Sequence, residues 1–257
     1  MTRTIAIVLF VSSLLGGIQC PSSTVASVFY VRGLNLVARS PAVEVDLDDA
    51  TLFRAAYGSV TRFARGRPGR HTLSFSALSS SDAGDDEQTH DGSSSVSGAF
   101  THGFAADRQY TFVVYGDLDD IRTFVIEDRD PHEEAADDKV ILQFTHASSR
   151  TQAVDVFVTV QAAGLEKRYH IGTLASAETS APLELTLVRD EDDLEDGFEL
   201  DADIVVELMA AGTTDLLYRS GTITLYERSR VMLALVDTGM PAPAARMLVV
   251  QPHPPAR

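Results

Sequence analysis

The side chains able to bind metal, move protons or attack carbonyls are scattered along this chain. Its seven histidines are His71, His90, His102, His132, His146, His170 and His253. No two stand four residues apart and none sits in an H-E-x-x-H context, so no helical zinc pair is predicted. A serine nucleophile needs a strained elbow with glycine on both sides. The segments "YGSVT" (57–61) and "RSGTIT" (219–224) lack the second glycine. Carboxylates number 37, so no glycosidase-style pair stands out from the rest. These spacings predict no catalytic residue and no enzyme.

Two acidic stretches are the candidates for binding a cation. "DAGDDEQTHDG" (82–92) lies in a serine-rich insertion whose composition reads as a solvated loop. In "RDEDDLEDGFELDAD" (189–203), a calcium loop counted from Asp192 puts Asp196 at position five, Gly197 at six and Asp203 at twelve. Such a loop requires an oxygen at position three, where Leu194 stands, and a glutamate at twelve, and it needs flanking helices. Asp192, Asp196 and Asp203 are therefore weak calcium candidates beside the plainer reading of a charged hairpin end. No cofactor is predicted.

A different pair of residues is marked by repetition. "RGLNLVARSPAVEVDL" (32–47) and "QFTHASSRTQAVDVFV" (143–158) align without a gap at a shift of 111, which places Asn35 on His146. A polar side chain just after a first strand can hydrogen-bond the turn backbone and hold the corner. Asparagine and histidine both suit that role, whereas asparagine is a poor catalytic base. Asn35 and His146 are expected to be structural turn residues rather than parts of a binding pocket.

The elements that must position these residues are strands. Within the repeat, Val43, Val45 and Leu47 alternate with Glu44, Asp46 and Asp48, and Val154, Val156 and Val158 alternate in the same way. Further short strands are predicted in "AAYGSVTRF" (55–63), "HTLSFSAL" (71–78), "QYTFVVYG" (109–116) and "RTFVIED" (122–128). Their counterparts are "KRYHIGTLA" (167–175), "PLELTLV" (182–188), "RVMLALVD" (230–237) and "RMLVVQP" (246–252). About seven short strands per copy, with no stretch of helical period, predict an all-β protein of two tandem immunoglobulin-like sandwiches. The expected domains are 28–127 and 139–251, joined by a charged linker at 128–138 and followed by a proline-rich tail at 252–257. A short charged linker predicts a small polar contact between the copies, with relative motion.

The amino terminus predicts export. Arg3 precedes an apolar run from Ile5 to Ile18, too short to span a bilayer comfortably and of the length of a secretory core. The single cysteine, Cys20, follows two residues later, as in a bacterial lipoprotein cleaved and lipidated at that thiol. Gln19 and Gly17 depart from the usual residues of such a site. Cleavage near Ala26, or an uncleaved anchor, stays open beside it. Residues 1–20 are thus read as a signal segment and 21–27 as a tether. With one cysteine no intramolecular disulfide can form, so packing alone must hold the fold.

Composition narrows the partners. A net charge of −16 repels phosphate backbones and excludes nucleic acid as a natural partner. A membrane is expected to be met only through an N-terminal lipid anchor.

The motifs "VRGLNLVARSPAVEVDL" (31–47), "YGSVT" (57–61), "RPGRHTL" (67–73) and "YTFVVYG" (110–116) resemble the bacterial family of domain of unknown function 4397. The second copy keeps "FTHASSRTQAVDVFV" (144–158) and a degraded "IGTLASA" (171–177). The resemblance implies exported, often lipid-anchored proteins built from tandem immunoglobulin-like sandwiches, and it brings no catalytic residue with it. The expected function is that of a non-catalytic envelope module in the periplasm or at the cell surface, touching a protein or glycan through sandwich loops. A calcium-stabilised adhesion module and an envelope-polymer hydrolase are the alternatives.

Overall fold

The computed structural model describes residues 27–77, 96–128, 139–162, 165–186, 201–226, 228–238 and 245–250. The described residues form seventeen strands and no helix, so the protein is all-β. The first eight strands are β1 (Phe29–Ala38), β2 (Ala42–Leu47), β3 (Ala50–Ala56), β4 (Ala64–Gly66), β5 (Gly69–Ala77), β6 (Val96–Phe104), β7 (Gln109–Asp117) and β8 (Asp120–Asp128). They build two sheets, ordered β4-β1-β7-β8 and β3-β2-β5-β6. The remaining strands are β9 (Lys139–Ala147), β10 (Val154–Ala162), β11 (Leu165–Leu174), β12 (Leu183–Thr186), β13 (Asp201–Ala210), β14 (Leu216–Arg219), β15 (Ile223–Tyr226), β16 (Arg230–Asp237) and β17 (Ala245–Val250). Their sheets run β12-β9-β16-β17 and β11-β10-β13-β14, with β15 also on β13.

The second strand order is the first written again, with β9 in the place of β1 and β16 in the place of β7. Even the one parallel pair recurs: Asn35 lies opposite Val114 in β1–β7, and His146 opposite Leu235 in β9–β16. Within each sandwich the alternation works as the sequence predicts. Val43 and Val45 join Leu73, Phe75, Phe112 and Val114 in one core. Val154, Val156 and Val158 join Ile204, Val206, Leu233 and Leu235 in the other.

The sheets holding the parallel pairs differ from the other two. Strands β1, β7, β9 and β16 are buried along almost their whole length, on both faces. Near-continuous apolar runs such as "VMLALV" (231–236) suit a strand with no solvated side. Their second faces meet in a third cluster, in which Leu34, Leu36, Val113, Tyr115 and Ile126 pack against Ala147, Met232, Ala234 and Val236. The molecule is therefore four sheets deep: the two parallel-pair sheets are inner layers, and β3-β2-β5-β6 and β11-β10-β13 are outer ones. The small polar contact expected from the linker is corrected here. Linker composition says nothing about which strand faces are apolar, and these faces are.

Two smaller corrections concern strands. β2 and β3 form a hairpin, turning at Asp48 and Asp49, both at positive φ. "AAYGSVTRF" is not one strand: β3 ends at Ala56, and the chain then runs along β1 through isolated bridges at Tyr57 and Val60.

Candidate functional site

Asn35 and His146 point into separate cores, each within the last residues of its first strand rather than just after it, and each fully buried. The Asn35 Nδ2 donates to the Ala55 carbonyl at 3.1 Å, and its Oδ1 accepts from the Val37 N–H at 3.0 Å. His146 repeats the pattern with a ring. Its Nδ1 accepts from the Ser148 N–H at 3.4 Å, which leaves Nε2 to carry the proton and donate to the Gln152 carbonyl at 3.0 Å. In both corners a side chain accepts from the backbone two residues on and donates to a second carbonyl. Both polar ends of each group are occupied by the main chain. The structure does not bring the two residues together.

The backbone around each corner is also held in the same way. Gly58 N donates to Asn35 O and Ala177 N to His146 O, both at 2.8 Å. Thr61 exchanges bonds with Gly33, its own N–H donating to Gly33 O and its Oγ1 accepting from Gly33 N, both at 2.9 Å. Ser180 does the same with Phe144, at 2.8 and 3.0 Å. The structural counterpart of "YGSVT" is therefore "SAETS" (176–180), and not "IGTLASA" as side-chain likeness suggests.

Sequence reasoning missed a third set of residues beside these corners. Asp117, 2% exposed, ends β7 and faces the second sandwich. Its Oδ1 accepts from Arg39 Nε and Leu118 N, both at 2.8 Å, and from Arg39 Nη2. Its Oδ2 accepts from Arg150 Nη2 at 2.5 Å. Arg39 and Arg150 are separated by the same shift of 111, so the repeat itself held the signal. The second corner is braced from below by Asp237, fully buried, whose carboxylate accepts from Ser148 Oγ at 2.5 Å and from Ser149 N at 2.8 Å.

The remaining titratable clusters are at strand ends and on outer faces. His71 Nδ1 meets Asp48 Oδ2 at 2.5 Å, and its Nε2 meets the Arg67 carbonyl at 2.7 Å. Burial works against protonation of His71, but the bond to Asp48 and the Arg67 carbonyl outweigh it and raise its pKa. Asp48 is held below the usual carboxylate range by the Thr72 N–H first and by His71 second. Burial lowers His102, the cross-strand neighbour of His71. On the opposite outer sheet, Asp155 is lowered by the Thr173 hydroxyl, then by the Gly212 N–H, with His170 contributing less.

Asp203 sits in β13 and accepts from Thr224 Oγ1 at 2.8 Å. Asp192, Asp196 and Cys20 lie outside the described residues. Among the described residues no three His, Cys, Asp or Glu side chains are grouped to hold a metal ion.

A family model, domain of unknown function DUF4397, matches residues 29–157, about half of the chain. The chain belongs to the DUF4397 family. The match runs from β1 through the first corner and on to the His146 corner and into β10, so it contains both pinned corners. A comparison with curated proteins finds no match. One solved structure matched in the comparison, of an adhesin candidate from Bacteroides ovatus, is 9% identical, and the match covers 82% of this chain and 88% of that one. Its TM-score of 0.23 is too low to carry an argument about this chain.

Proposed function

We propose that this DUF4397 protein is a non-catalytic, exported cell-envelope module that contacts a protein or glycan through its outer sheets and the loops at the sandwich ends. One observation supports this reading above the others: the fold itself consumes its buried polar groups. Asn35 and His146 spend both polar ends on the backbone, Asp237 holds a turn, and Asp117 binds two arginines. Among the described residues no buried side-chain nitrogen or oxygen lacks a partner. Groups fixed in that way serve architecture, which leaves recognition to exposed surface carried on a rigid frame. The amino-terminal apolar run and Cys20 support export, with tethering at that thiol. We take 28–127 and 139–251 as two related domains, joined by 128–138.

The test is in-cell crosslinking of a tagged full-length chain, with mass spectrometry of what co-purifies and Cys20→Ala run beside it. A discrete envelope protein or glycan enriched by the wild type, and lost in the variant, is the expected result. Retention of the wild type in the cytoplasm would overturn the reading, as would co-purification of a small-molecule substrate that it converts.

A further inference from the structure

We infer that the two sandwiches are each other's docking partner: their inner sheets, matched large to small and clamped by Arg150 of the second sandwich on the Asp117 carboxylate of the first, hold the molecule as a single rigid body.

The contact uses the same positions on both sides. The two parallel registers make Leu34, Leu36, Val113 and Tyr115 the counterparts of Thr145, Ala147, Ala234 and Val236. All but Thr145 belong to the shared cluster, and Thr145 is itself buried. Equivalent patches meeting face to face are the geometry of a two-fold dimer, here written into one chain. The two patches are not equal in size. At these four positions the first sandwich offers Leu, Leu, Val and Tyr, and the second Thr, Ala, Ala and Val; two residues earlier on the parallel strands the order reverses, with Met232 in the second sandwich where the first has Thr111. Pairing the first patch with itself would crowd leucines and tyrosines, and pairing the second with itself would leave voids. The mixed pair fits at these positions, which disfavours pairing two like sandwiches from separate chains.

The polar rim fixes the angle. Arg39 and Arg150 come from equivalent turns, yet both reach Asp117 and none of their bonds goes to Asp237. The position of Asp237 in the first sandwich is occupied by Gly116, so the buried acid that braces the second corner has no counterpart in the first. Asp117 instead points outward into the contact. Separating the sandwiches would strip Arg150 from a carboxylate that is 2% exposed. Tyr115 Oη to Ser176 Oγ at 3.2 Å and Arg246 Nη2 to Tyr57 Oη at 3.1 Å add polar links elsewhere between the sandwiches.

The experiment uses the full chain in a Cys20→Ala background. Spin labels are placed at Thr101→Cys and Lys167→Cys, exposed positions on the two outer sheets, and the distance distribution between them is read by pulsed electron resonance. The expected parent distribution is single and narrow. Arg150→Ala should make it about twice as wide, and Ala234→Glu should replace it with a broad, longer one. Arg122→Ala removes an ion pair confined to the β7–β8 hairpin and should leave the distribution unchanged. A broad parent distribution overturns the inference, as does an Arg150→Ala distribution identical to the parent. Arg150 is 43% exposed, so its loss spares both cores and its result stands if Ala234→Glu fails to fold.

Discussion

Gly58 and Ala177 occupy the same place in the two corners, both in the left-handed region, at φ +71° and +68°. Each N–H reaches the carbonyl of its corner residue, so the bond demands the conformation in both copies. Glycine adopts it freely, whereas alanine bears a steric cost of about 1 kcal/mol. Gly58→Ala should therefore lower stability by about 1 kcal/mol. Ala177→Gly should be close to neutral, because relief of that strain is offset by a methyl lost from the inter-sandwich cluster and by a freer unfolded chain. Urea midpoints of the two variants check the asymmetry; equal losses in both would refute it.

The pinning role of His146 makes a graded prediction. His146→Leu keeps the volume but strands the Ser148 N–H and the Gln152 carbonyl, at a cost of about 2–4 kcal/mol. His146→Asn installs the residue used at the other corner and should lose roughly half as much. If the leucine variant proved as stable as the asparagine one, hydrogen bonding would not be what the position supplies.

Stability should depend on pH through the His71–Asp48 pair. The folded pKa of His71 is raised, so its contribution is complete below the unfolded value of about 6.5 and is lost as pH climbs through the folded value. The folded pKa of Asp48 is lowered, so its contribution is present above the unfolded value of about 3.9 and is lost as pH falls through the folded one. The pair is therefore strongest between about pH 4 and about pH 6.5. The stability difference between wild type and His71→Gln should be larger near pH 5.5 than near pH 8.5. Denaturation series at those two values decide it, and a constant difference would show that His71 acts only by packing.

The strands and the corners were legible because their signals are local. Alternation in Val43–Val45 and Val154–Val156–Val158 marks a half-buried strand, and the shift of 111 aligned Asn35 with His146. The contact between the sandwiches was not legible. An apolar run such as β16 announces burial on both faces, but the residues that cover the second face are set by packing far along the chain. The repeat marks Arg39 and Arg150 as a pair, but not their shared partner: Asp117 finds Arg39 at a separation of 78 residues and Arg150 at 33, which no local pattern encodes. The match of "SAETS" to "YGSVT" was hidden for another reason: what recurs is a set of backbone bonds, which side-chain likeness does not track.

The four-layer stacking has a geometric consequence for anything the protein touches. With packed sheets about 10 Å apart, the two outer surfaces stand roughly 30 Å from each other and look in opposite directions. Two small ligands held on them would lie too far apart to touch and would not compete for one surface. The protein would then work as a spacer, joining two objects at a set separation instead of closing around one.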